Sequence, residues 1–571
     1  MIAWLAANLP AIMFAALVIF LLSGVPVAFG LAACGLTFAF FGIELGLLPP
    51  ALIQALPLRL FGIMSNETLL AIPFFTFMGL LLQKSGLAED LLETVGQVFG
   101  PLRGGVALAV VLVGALLAAT TGIVAASVIS MGLISLPVML RYGYNPKLAT
   151  GVIAAAGSLA QVVPPSLVLI VMADQLGRSV GDMYVAALVP AGMLIGLQVL
   201  LVAGLAIFVP RWLPALPPDA RAARESNGAS GVASLGVLFL VAVLLGRVAT
   251  GYYPLWLVTM GRTAPPPPDE LLIVGLGAGV AGAFILSVAD RLLRLNLLSM
   301  LTHRVAFVMV PPLFLIFLVL GTIFLGLATP TEGGALGAIG ALVLALARGR
   351  INHRQIGQTL LSTTKLSCFV LFILIGSTVF SLTFQGVGGQ AWVEHLFDKL
   401  PGGQTGFLIF VTCLIFVLGF FLDFFEIAFI LLPMLAPIAD KLGIDLIWFG
   451  VLVGINLQTS FLTPPFGFAL FYLRSVALTR TTIDEVTGRE IAPVRTSDIY
   501  LGVMPFVAIQ ILVMALIIAY PDLLMHDDSA SKQMDLNAIE NRLEQMEDAG
   551  VAENDPMKML LEQMGQDEEQ R

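Results

Sequence analysis

Two segments of the sequence are the most informative about its architecture: Gly157-Ser-Leu-Ala-Gln-Val-Val-Pro-Pro-Ser166 and Asn456-Leu-Gln-Thr-Ser-Phe-Leu-Thr-Pro-Pro465. Each places a Pro-Pro pair inside a long apolar run, at 148–173 and 446–473. Proline removes a backbone donor and frees carbonyl groups. In lipid those groups must be satisfied within the protein, so such a break persists only where it is buried or lines a cavity. For one pair alone, a simple kink filled by neighbouring hydroxyls is the competing interpretation.

Composition places both breaks in a membrane. Of the 571 residues, 58% are hydrophobic and 11% are charged, whereas soluble domains carry about 25% charged residues. Residues 87–99 are amphipathic and are expected to lie at the membrane interface. Runs long enough to span a bilayer are expected at 12–22, 27–45, 69–82, 106–140, 148–173, 184–209, 233–258, 271–289, 305–327, 332–347, 366–386, 406–438, 446–473 and 498–521. The sequence therefore predicts an all-α polytopic membrane protein, and nothing in it indicates a nucleic-acid partner or a metal site.

The two halves of the chain match each other. When Gly143 is aligned with Gly443 without gaps, Pro164-Pro165 falls on Pro464-Pro465. Residue identity is otherwise low, so these landmarks carry the match.

The charges of the loops indicate that the two halves run in opposite directions. Cytoplasmic loops carry an excess of Lys and Arg, which places 141–147 inside. Counting spans then places 440–445 outside. Inverted repeats with broken helices are typical of secondary transporters. The other basic loops assigned to the inside are 211–224, 291–304, 348–365 and 474–495.

Candidate binding groups cluster at the breaks. Freed carbonyls at such breaks coordinate cations, and the N-termini of half-helices face anionic groups of a solute. The first break offers Gly157, Ser158, Gln161, Pro164, Pro165 and Ser166. The second offers Asn456, Gln458, Thr459, Ser460, Thr463, Pro464 and Pro465.

An acidic pair, Asp423 and Glu426, lies three residues apart and so shares one helical face. Acids within a membrane are costly and usually functional. The pair is expected to hold a cation, relay a proton or cap the tip of a re-entrant hairpin; a solvated position at the interface is the structural alternative. Elsewhere, Thr329 or Thr331 is expected to cap the following helix, with Glu332 in its first turn.

Enzyme signatures are missing from the sequence. It has no His-Glu-x-x-His, Gly-x-Ser-x-Gly or phosphate-loop motif. A transporter without a nucleotide site must be driven by an ion gradient. A membrane-embedded enzyme, and a channel or scaffold subunit, remain as alternatives.

At these residues the sequence resembles the large membrane subunit (DctM type) of tripartite ATP-independent periplasmic (TRAP) transporters, in its long variant. The resemblance covers about residues 8–210 and 305–520. It rests on Leu69-Leu-Ala-Ile-Pro-Phe-Phe-Thr-Phe-Met-Gly79, the stretch 157–166, Thr329-Pro-Thr-Glu332, Phe449-Gly450 and the stretch 456–465.

This resemblance implies an elevator-type, inverted-repeat fold of the ion transporter superfamily, with two re-entrant hairpins besides the two broken helices. It implies sodium as the coupling ion, no other cofactor, and an organic acid as the imported solute. A four-span small subunit (DctQ type) and a periplasmic solute-binding protein are the implied partners, and the bacterial inner membrane is the implied location.

Transferred to this chain, the resemblance implies one hairpin tip at Thr120-Thr121-Gly122 and a second near Asp423–Glu426. The implied sodium ligands are Thr120, Thr121, Gly122, Gly157, Ser158, Asp423, Asn456, Thr459 and Thr463. The implied solute-binding residues are Gln161, Pro164, Pro165, Ser166, Glu426, Pro464 and Pro465. Many relatives carry Ser-Gly-Ser at the first tip, so Thr-Thr-Gly offers fewer hydroxyl groups here.

Four regions follow from this interpretation. Residues 1–210 form the first repeat, 211–304 a linker with two extra spans, 305–521 the second repeat, and 522–571 an acidic tail outside the membrane. The extra spans are absent from shorter relatives; docking of the small subunit is one interpretation of their role.

Overall fold

The structure is a computed structural model and describes residues 2–220, 231–260, 265–266, 268–294, 297–397, 401–484, 487–488 and 490–524. The chain up to Tyr520 forms one unit, and a second begins at Pro521. The predicted acidic tail lies outside the described residues from position 525 onward, as does the linker segment 221–230.

The first half is built from eleven α-helices in the described residues. They are α1 (Ile2–Leu22), α2 (Val27–Glu44), α3 (Ala51–Gln54), α4 (Leu56–Met64), α5 (Ala71–Lys84), α6 (Leu87–Phe99), α7 (Gly105–Thr121), α8 (Val124–Arg141), α9 (Pro146–Ser158), α10 (Leu167–Leu176) and α11 (Val180–Phe208). Two 3-10 turns, Thr68–Leu70 and Leu159–Gln161, precede α5 and follow α9.

The linker contributes α12 (Val232–Thr259) and α13 (Pro268–Leu293). The second half contains α14 (Met300–Phe324), α15 (Pro330–Ala347), α16 (His353–Gly386), α17 (Gly389–Phe397), α18 (Gly403–Leu418), α19 (Phe424–Ile430), α20 (Leu432–Lys441), α21 (Leu446–Leu462), α22 (Phe468–Val476) and α23 (Thr496–Ala519). Two short antiparallel strands, β1 (Thr482–Ile483) and β2 (Glu490–Ile491), lie between α22 and α23.

The prediction of an all-α polytopic membrane protein is confirmed. Within the described residues, nine helices are long and apolar enough to cross a bilayer, or ten if Ala51–Met64 and Thr68–Lys84, bent by 53°, form one span. The helices differ from the predicted apolar runs in three ways. Helix α16 begins at His353, ahead of the run 366–386, because polar residues extend it beyond its apolar part. The run 406–438 is divided among α18, α19 and α20, and the short helices α3 and α4 were not predicted.

Helix packing repeats between the two halves. Helix α2 packs along α16, and α15 packs along α5. Both contacts depend on glycine: a Cβ on Gly35 of α2 would lie 2.9 Å from the Phe380 backbone, and one on Gly337 of α15 would lie 2.6 Å from the Met78 sulfur. Small residues let membrane helices approach closely. Similarly, α8 packs on α22, while α19 packs on α10.

Ion pairs join segments that the charge distribution assigns to one side. Arg141 Nε lies 2.8 Å from Asp484 Oδ1, joining loop 141–147 to loop 474–495. Hydrogen bonds from Thr487, together with Arg141, hold the pKa of Asp484 below its usual value. Arg304 and Arg348, from the basic segments 291–304 and 348–365, pair with Glu93 and Asp90 of α6 at 2.8 and 2.6 Å.

Candidate functional site: two facing broken helices

The first break lies between α9 and α10 and is held by Ser166. This residue caps α10, since its Oγ accepts a hydrogen bond from the Val168 amide at 3.2 Å. Its hydroxyl also lies 3.0 Å from the carbonyl of Ala160 and 2.9 Å from that of Gln161. The Pro164-Pro165 bond is cis. One serine therefore satisfies the carbonyls next to the break and starts the second half-helix.

The second break lies between α21 and α22 and carries a cis Pro464-Pro465 bond at the matching position. Thr463 Oγ1 donates to the Thr459 carbonyl at 2.7 Å, and Thr459 Oγ1 donates to the Ile455 carbonyl at 2.8 Å. Gly467 begins the turn into α22; a Cβ there would lie 2.4 Å from the Phe461 carbonyl oxygen. The two threonine hydroxyls thus bond within their own helix.

The two breaks meet. Gln458 Nε2 donates to Ser158 Oγ at 3.3 Å, joining α21 to the end of α9 across 300 residues of sequence. Ser158 is itself fully buried and donates to the Ala155 carbonyl at 2.9 Å. This contact makes one site of two motifs that the sequence places far apart.

Three buried amides on the two breaks have unused hydrogen-bonding atoms. Within the described part of the chain, neither side-chain atom of Gln161 has a partner, and Asn456 Oδ1 and Gln458 Oε1 also lack one. All three side chains are at most 1% exposed. An unsatisfied buried polar group costs about 1–3 kcal/mol, so each such group in a folded protein needs an explanation. A polar ligand between the breaks would supply the missing bonds.

The first hairpin tip lies against the first break. Gly122 ends α7 in a left-handed conformation with φ of 59°, and a Cβ there would lie 3.2 Å from the Leu167 amide. The hydroxyls of Thr120 and Thr121 donate to the Leu117 carbonyl at 3.0 and 2.8 Å. Thr121 Oγ1 also lies 2.7 Å from Ser127 Oγ on α8. Gly157 packs on the same hairpin, since its Cβ would lie 2.5 Å from Val128.

The second hairpin tip lies against the second break. The rings of Phe421, before α19, and Phe466, after the prolines, are 5.7 Å apart. Asp423 and Glu426 form a capping box: Asp423 Oδ1 accepts from the Phe424 amide at 2.7 Å, and Glu426 Oε2 accepts from the Asp423 amide at 3.0 Å. Of the roles considered for this pair, the cap is the one that the described contacts contain. Glu426 is 7% exposed, so it is not a solvated interfacial residue.

The first arm of the second hairpin is bonded to the broken helix. Asn456 Nδ2 donates to the Thr412 carbonyl at 2.8 Å, and Ser460 Oγ donates to the Phe416 carbonyl at 2.9 Å. Both acceptors lie on α18, so α18 and α21 are braced by two side-chain bonds one turn apart.

Several residues contribute to the site in ways that the sequence does not indicate. The sequence places Gln458 at the second break, but its bond to Ser158 does not follow from spacing. Tyr184 of α11 and Tyr500 of α23 donate to break carbonyls, those of Ser166 at 3.4 Å and Pro465 at 3.1 Å. Away from the site, Thr329 rather than Thr331 caps α15, and Glu332 completes a capping box; the Thr331 hydroxyl donates to the Glu67 carbonyl at 2.5 Å.

The chemistry of the breaks is neutral. Residues 157–167 and 456–467 include amides, hydroxyls and prolines but no charged side chain. Such a site can donate amide hydrogen bonds to an anionic solute and offer carbonyl and hydroxyl oxygens to a hard cation. It has no nucleophile paired with a base, which covalent catalysis would need.

Comparison with known proteins identifies the family. The sequence model of the tripartite ATP-independent periplasmic transporter, DctM component, matches residues 14–264 and 277–523. The C4-dicarboxylate TRAP transporter large permease protein DctM of Rhodobacter capsulatus is 27% identical over 90% of this chain and 99% of its own length. The protein of the same name from Pseudomonas aeruginosa is 27% identical over 75% of this chain and 82% of its own length.

A third relative is the isethionate TRAP transporter permease protein DctMQ of Oleidesulfovibrio alaskensis, which is 25% identical over 82% of this chain and 60% of its own length. The chain therefore belongs to the DctM family: it is the large permease component of a TRAP transporter, a multi-pass protein of the bacterial inner membrane and not an enzyme.

Proposed function

We propose that this permease imports an organic acid together with sodium, at a site formed where the two broken helices meet. The solute is delivered by a periplasmic binding protein, and a four-span small subunit completes the assembly. The observation that carries the proposal is the Gln458–Ser158 contact between the two breaks, together with the unused amide atoms of Gln161 and Asn456 on the same breaks.

Charge balance supports coupling to a cation. An organic anion entering the breaks meets no cationic side chain in 157–167 or 456–467, and Asp423 and Glu426 lie at the neighbouring tip. An unpaired charge in a poorly solvated site is strongly disfavoured. A sodium ion that binds with the solute removes this penalty and ties solute entry to the sodium gradient.

The class of solute is inferred from relatives and from the site. The relatives from Rhodobacter capsulatus and Pseudomonas aeruginosa are named for C4-dicarboxylates, and the one from Oleidesulfovibrio alaskensis for isethionate. All are small organic anions. The unused amide donor of Gln161, with the N-terminus of α10, suits a carboxylate or sulfonate group.

An elevator movement is supported by the contacts between hairpins and scaffold helices. Gln83 of α5 donates to Ser130 of the first hairpin, and Ser377 of α16 donates to the Phe429 carbonyl of the second. Each is a side-chain bond that can be exchanged as the hairpins slide. The α18–α21 brace, in contrast, keeps the second hairpin arm and its broken helix together.

The test is uptake into liposomes containing the permease and its small subunit, with the binding protein added outside. We expect uptake of a labelled C4-dicarboxylate or hydroxysulfonate only with an inward sodium gradient. Uptake that is equal with potassium on both sides would contradict sodium coupling. Passive flow of the acid in both directions without binding protein would indicate a channel.

A further inference from the structure

Helix α12 stands at the periphery of the described fold. It packs on α13 through close glycine contacts: a Cβ on Gly246 would lie 2.5 Å from the Gly275 carbonyl oxygen, and one on Gly279 would lie 2.6 Å from that of Ala242. Only 11% of the residues in its apolar 18-residue segment are buried inside the protein, against 28–56% for the other eight candidate spans in the described residues. Of all these spans, α12 is therefore the least covered by its own subunit.

An arginine lies on the uncovered face of α12. Arg247 is exposed, and its neighbours on that face are the exposed apolar residues Val243, Leu244, Val248 and Leu255. Among the described residues, none forms a hydrogen bond or an ion pair with its guanidinium group. Arg247 is the only charged residue between Val232 and Thr259.

The depth of Arg247 follows from the antiparallel neighbour α13. Tyr253 OH donates to Glu270 Oε1 at 2.5 Å, which fixes the level of that end of the pair. Arg247 precedes Tyr253 by six residues on α12. At the helical rise of 1.5 Å per residue, its backbone lies about 9 Å from that of Tyr253, toward the middle of the helix. The 20 residues from Glu270 to Asp290 span about 30 Å, the thickness of the hydrocarbon core. The Arg247 backbone therefore lies inside the hydrocarbon.

An arginine in this position needs a counter-charge. Charged residues within membrane spans almost always face a protein interior and pair with an opposite charge. The nearest described acid on α13, Glu270, already accepts the Tyr253 hydroxyl at the end of the span. Gly251, one turn from Arg247 on the exposed face, has no atom within 4 Å of where its Cβ would be, so another helix can approach closely there.

We infer that the face of α12 around Arg247 is the docking surface for a transmembrane helix of the small subunit, which presents an aspartate or glutamate to the Arg247 guanidinium. The inference rests on the proposed assembly with a small subunit. In this arrangement the two extra spans carry the positive charge, on Arg247, that selects and orients the partner helix. Snorkelling of Arg247 to a lipid phosphate is the competing explanation.

The test compares copurification of the small subunit with tagged wild-type permease and with Arg247→Leu, both coexpressed and extracted in a mild detergent. Because leucine is more compatible with lipid than arginine, Arg247→Leu alone should be as stable to heating as the wild type, or more so. We expect Arg247→Leu to retain about tenfold less small subunit than the wild type does, which corresponds to a loss of about 1.4 kcal/mol in binding free energy. Gly251→Leu, which blocks close approach without changing charge, should lower retention as well.

Lys365→Leu is the matched control, because Lys365 is also an exposed cation, at the polar end of the apolar part of α16. It should retain the small subunit as the wild type does. Unchanged retention by Arg247→Leu would overturn the inference and leave Arg247 as a lipid anchor. If the wild type itself retains no membrane subunit, the proposed assembly fails, and this inference with it. Arg247→Glu should also lose the small subunit. Retention should return when the matching acid of the small subunit is replaced by arginine, because the charge pair is then re-formed in reverse.

Discussion

The two breaks carry the same Pro-Pro motif but differ in burial. In the first, every residue from Gly157 to Leu167 is buried except Val163, which is half-buried. In the second, Pro465 is exposed and Phe466 is 47% exposed. The hairpin tips follow the same pattern: Thr120, Thr121 and Gly122 are buried, whereas Phe421 is 51% exposed. The second break and its hairpin tip are therefore more exposed than the first.

The breaks also differ in how they are held. The first is closed by its own residues, chiefly Ser166, so Gln161 keeps its amide free. The second is bonded to its hairpin arm through Asn456 and Ser460. The first break can therefore keep its shape while neighbouring helices move, whereas the second break moves together with its hairpin arm. Substitutions in the two breaks should accordingly have different effects on uptake and stability.

The largest effect is expected at Gly467, where the second break turns more tightly than the first. The matching residue of the first break is Leu167, whereas a Cβ on Gly467 would meet the carbonyl oxygens of Phe461 and Thr463 at 2.4 and 2.9 Å. Gly467→Ala should therefore abolish uptake and lower the yield of monodisperse protein in gel filtration. Gly454→Ala on α21, the half-helix before the break, should behave as wild type, because the nearest atom to a Cβ there is 4.0 Å away. Normal uptake by Gly467→Ala would show that the turn tolerates a side chain.

Substitution of Gln161 should have the next largest effect, because it should lower uptake while raising thermal stability. Gln161→Met removes a buried amide without described partners, so the midpoint of thermal unfolding should rise, in line with about 1–3 kcal/mol for an unsatisfied group. Uptake should fall at least about tenfold, because the solute loses a hydrogen-bond donor worth roughly 1.5 kcal/mol. Gln198 of α11 is also buried and has no described partner. Gln198→Met should raise stability and leave uptake unchanged; equal uptake by both variants would remove Gln161 from the site.

A smaller effect is expected from the brace of the second break. Asn456→Ala and Ser460→Ala each lose one bond to α18, worth about 1 kcal/mol of stability. Asn456→Ala should also reduce uptake several-fold, since Asn456 Oδ1 is free to bind, whereas Ser460→Ala should affect stability alone. Initial uptake rates and unfolding midpoints of both variants provide the check. The distinction fails if the two variants transport equally well.

The smallest effect is expected at Asp423. Asp423→Asn keeps the acceptor for the Phe424 amide, so stability should change by less than about 0.5 kcal/mol. Loss of the negative charge should raise the sodium concentration for half-maximal uptake by about threefold, a small effect as expected for a charge beside the ion and not in contact with it. An unchanged sodium dependence would leave Asp423 as a helix cap only, and a rise above about thirtyfold would make it a direct ligand.

Local features were predictable from the sequence because their causes are local. The breaks fall at Pro164-Pro165 and Pro464-Pro465, as the matching positions of these pairs in the two halves predict, and Thr329 with Glu332 forms a capping box from its own spacing. The α16 extension from His353 could not be predicted, because its polar residues give no membrane signal. The bond between Gln458 and Ser158 depends on packing across 300 residues, which a single sequence does not encode in any local pattern.

The difference in burial between the two breaks could not be predicted from the sequence either. Aligned repeats predict equivalent environments, yet Pro165 is buried and Pro465 is exposed. The exposure of each break depends on how the helices of both halves pack around it, and no local pattern in a single sequence encodes that packing.

The most direct test of the central claim is a structure of the permease with its small subunit in lipid, with sodium and the acid carried by its binding protein. We expect density for the acid beside the Ser158–Gln458 contact, within hydrogen-bond distance of the Gln161 or Asn456 side chain, with sodium among the neighbouring carbonyl oxygens. An acid bound elsewhere, with the break amides still unpartnered, would contradict it.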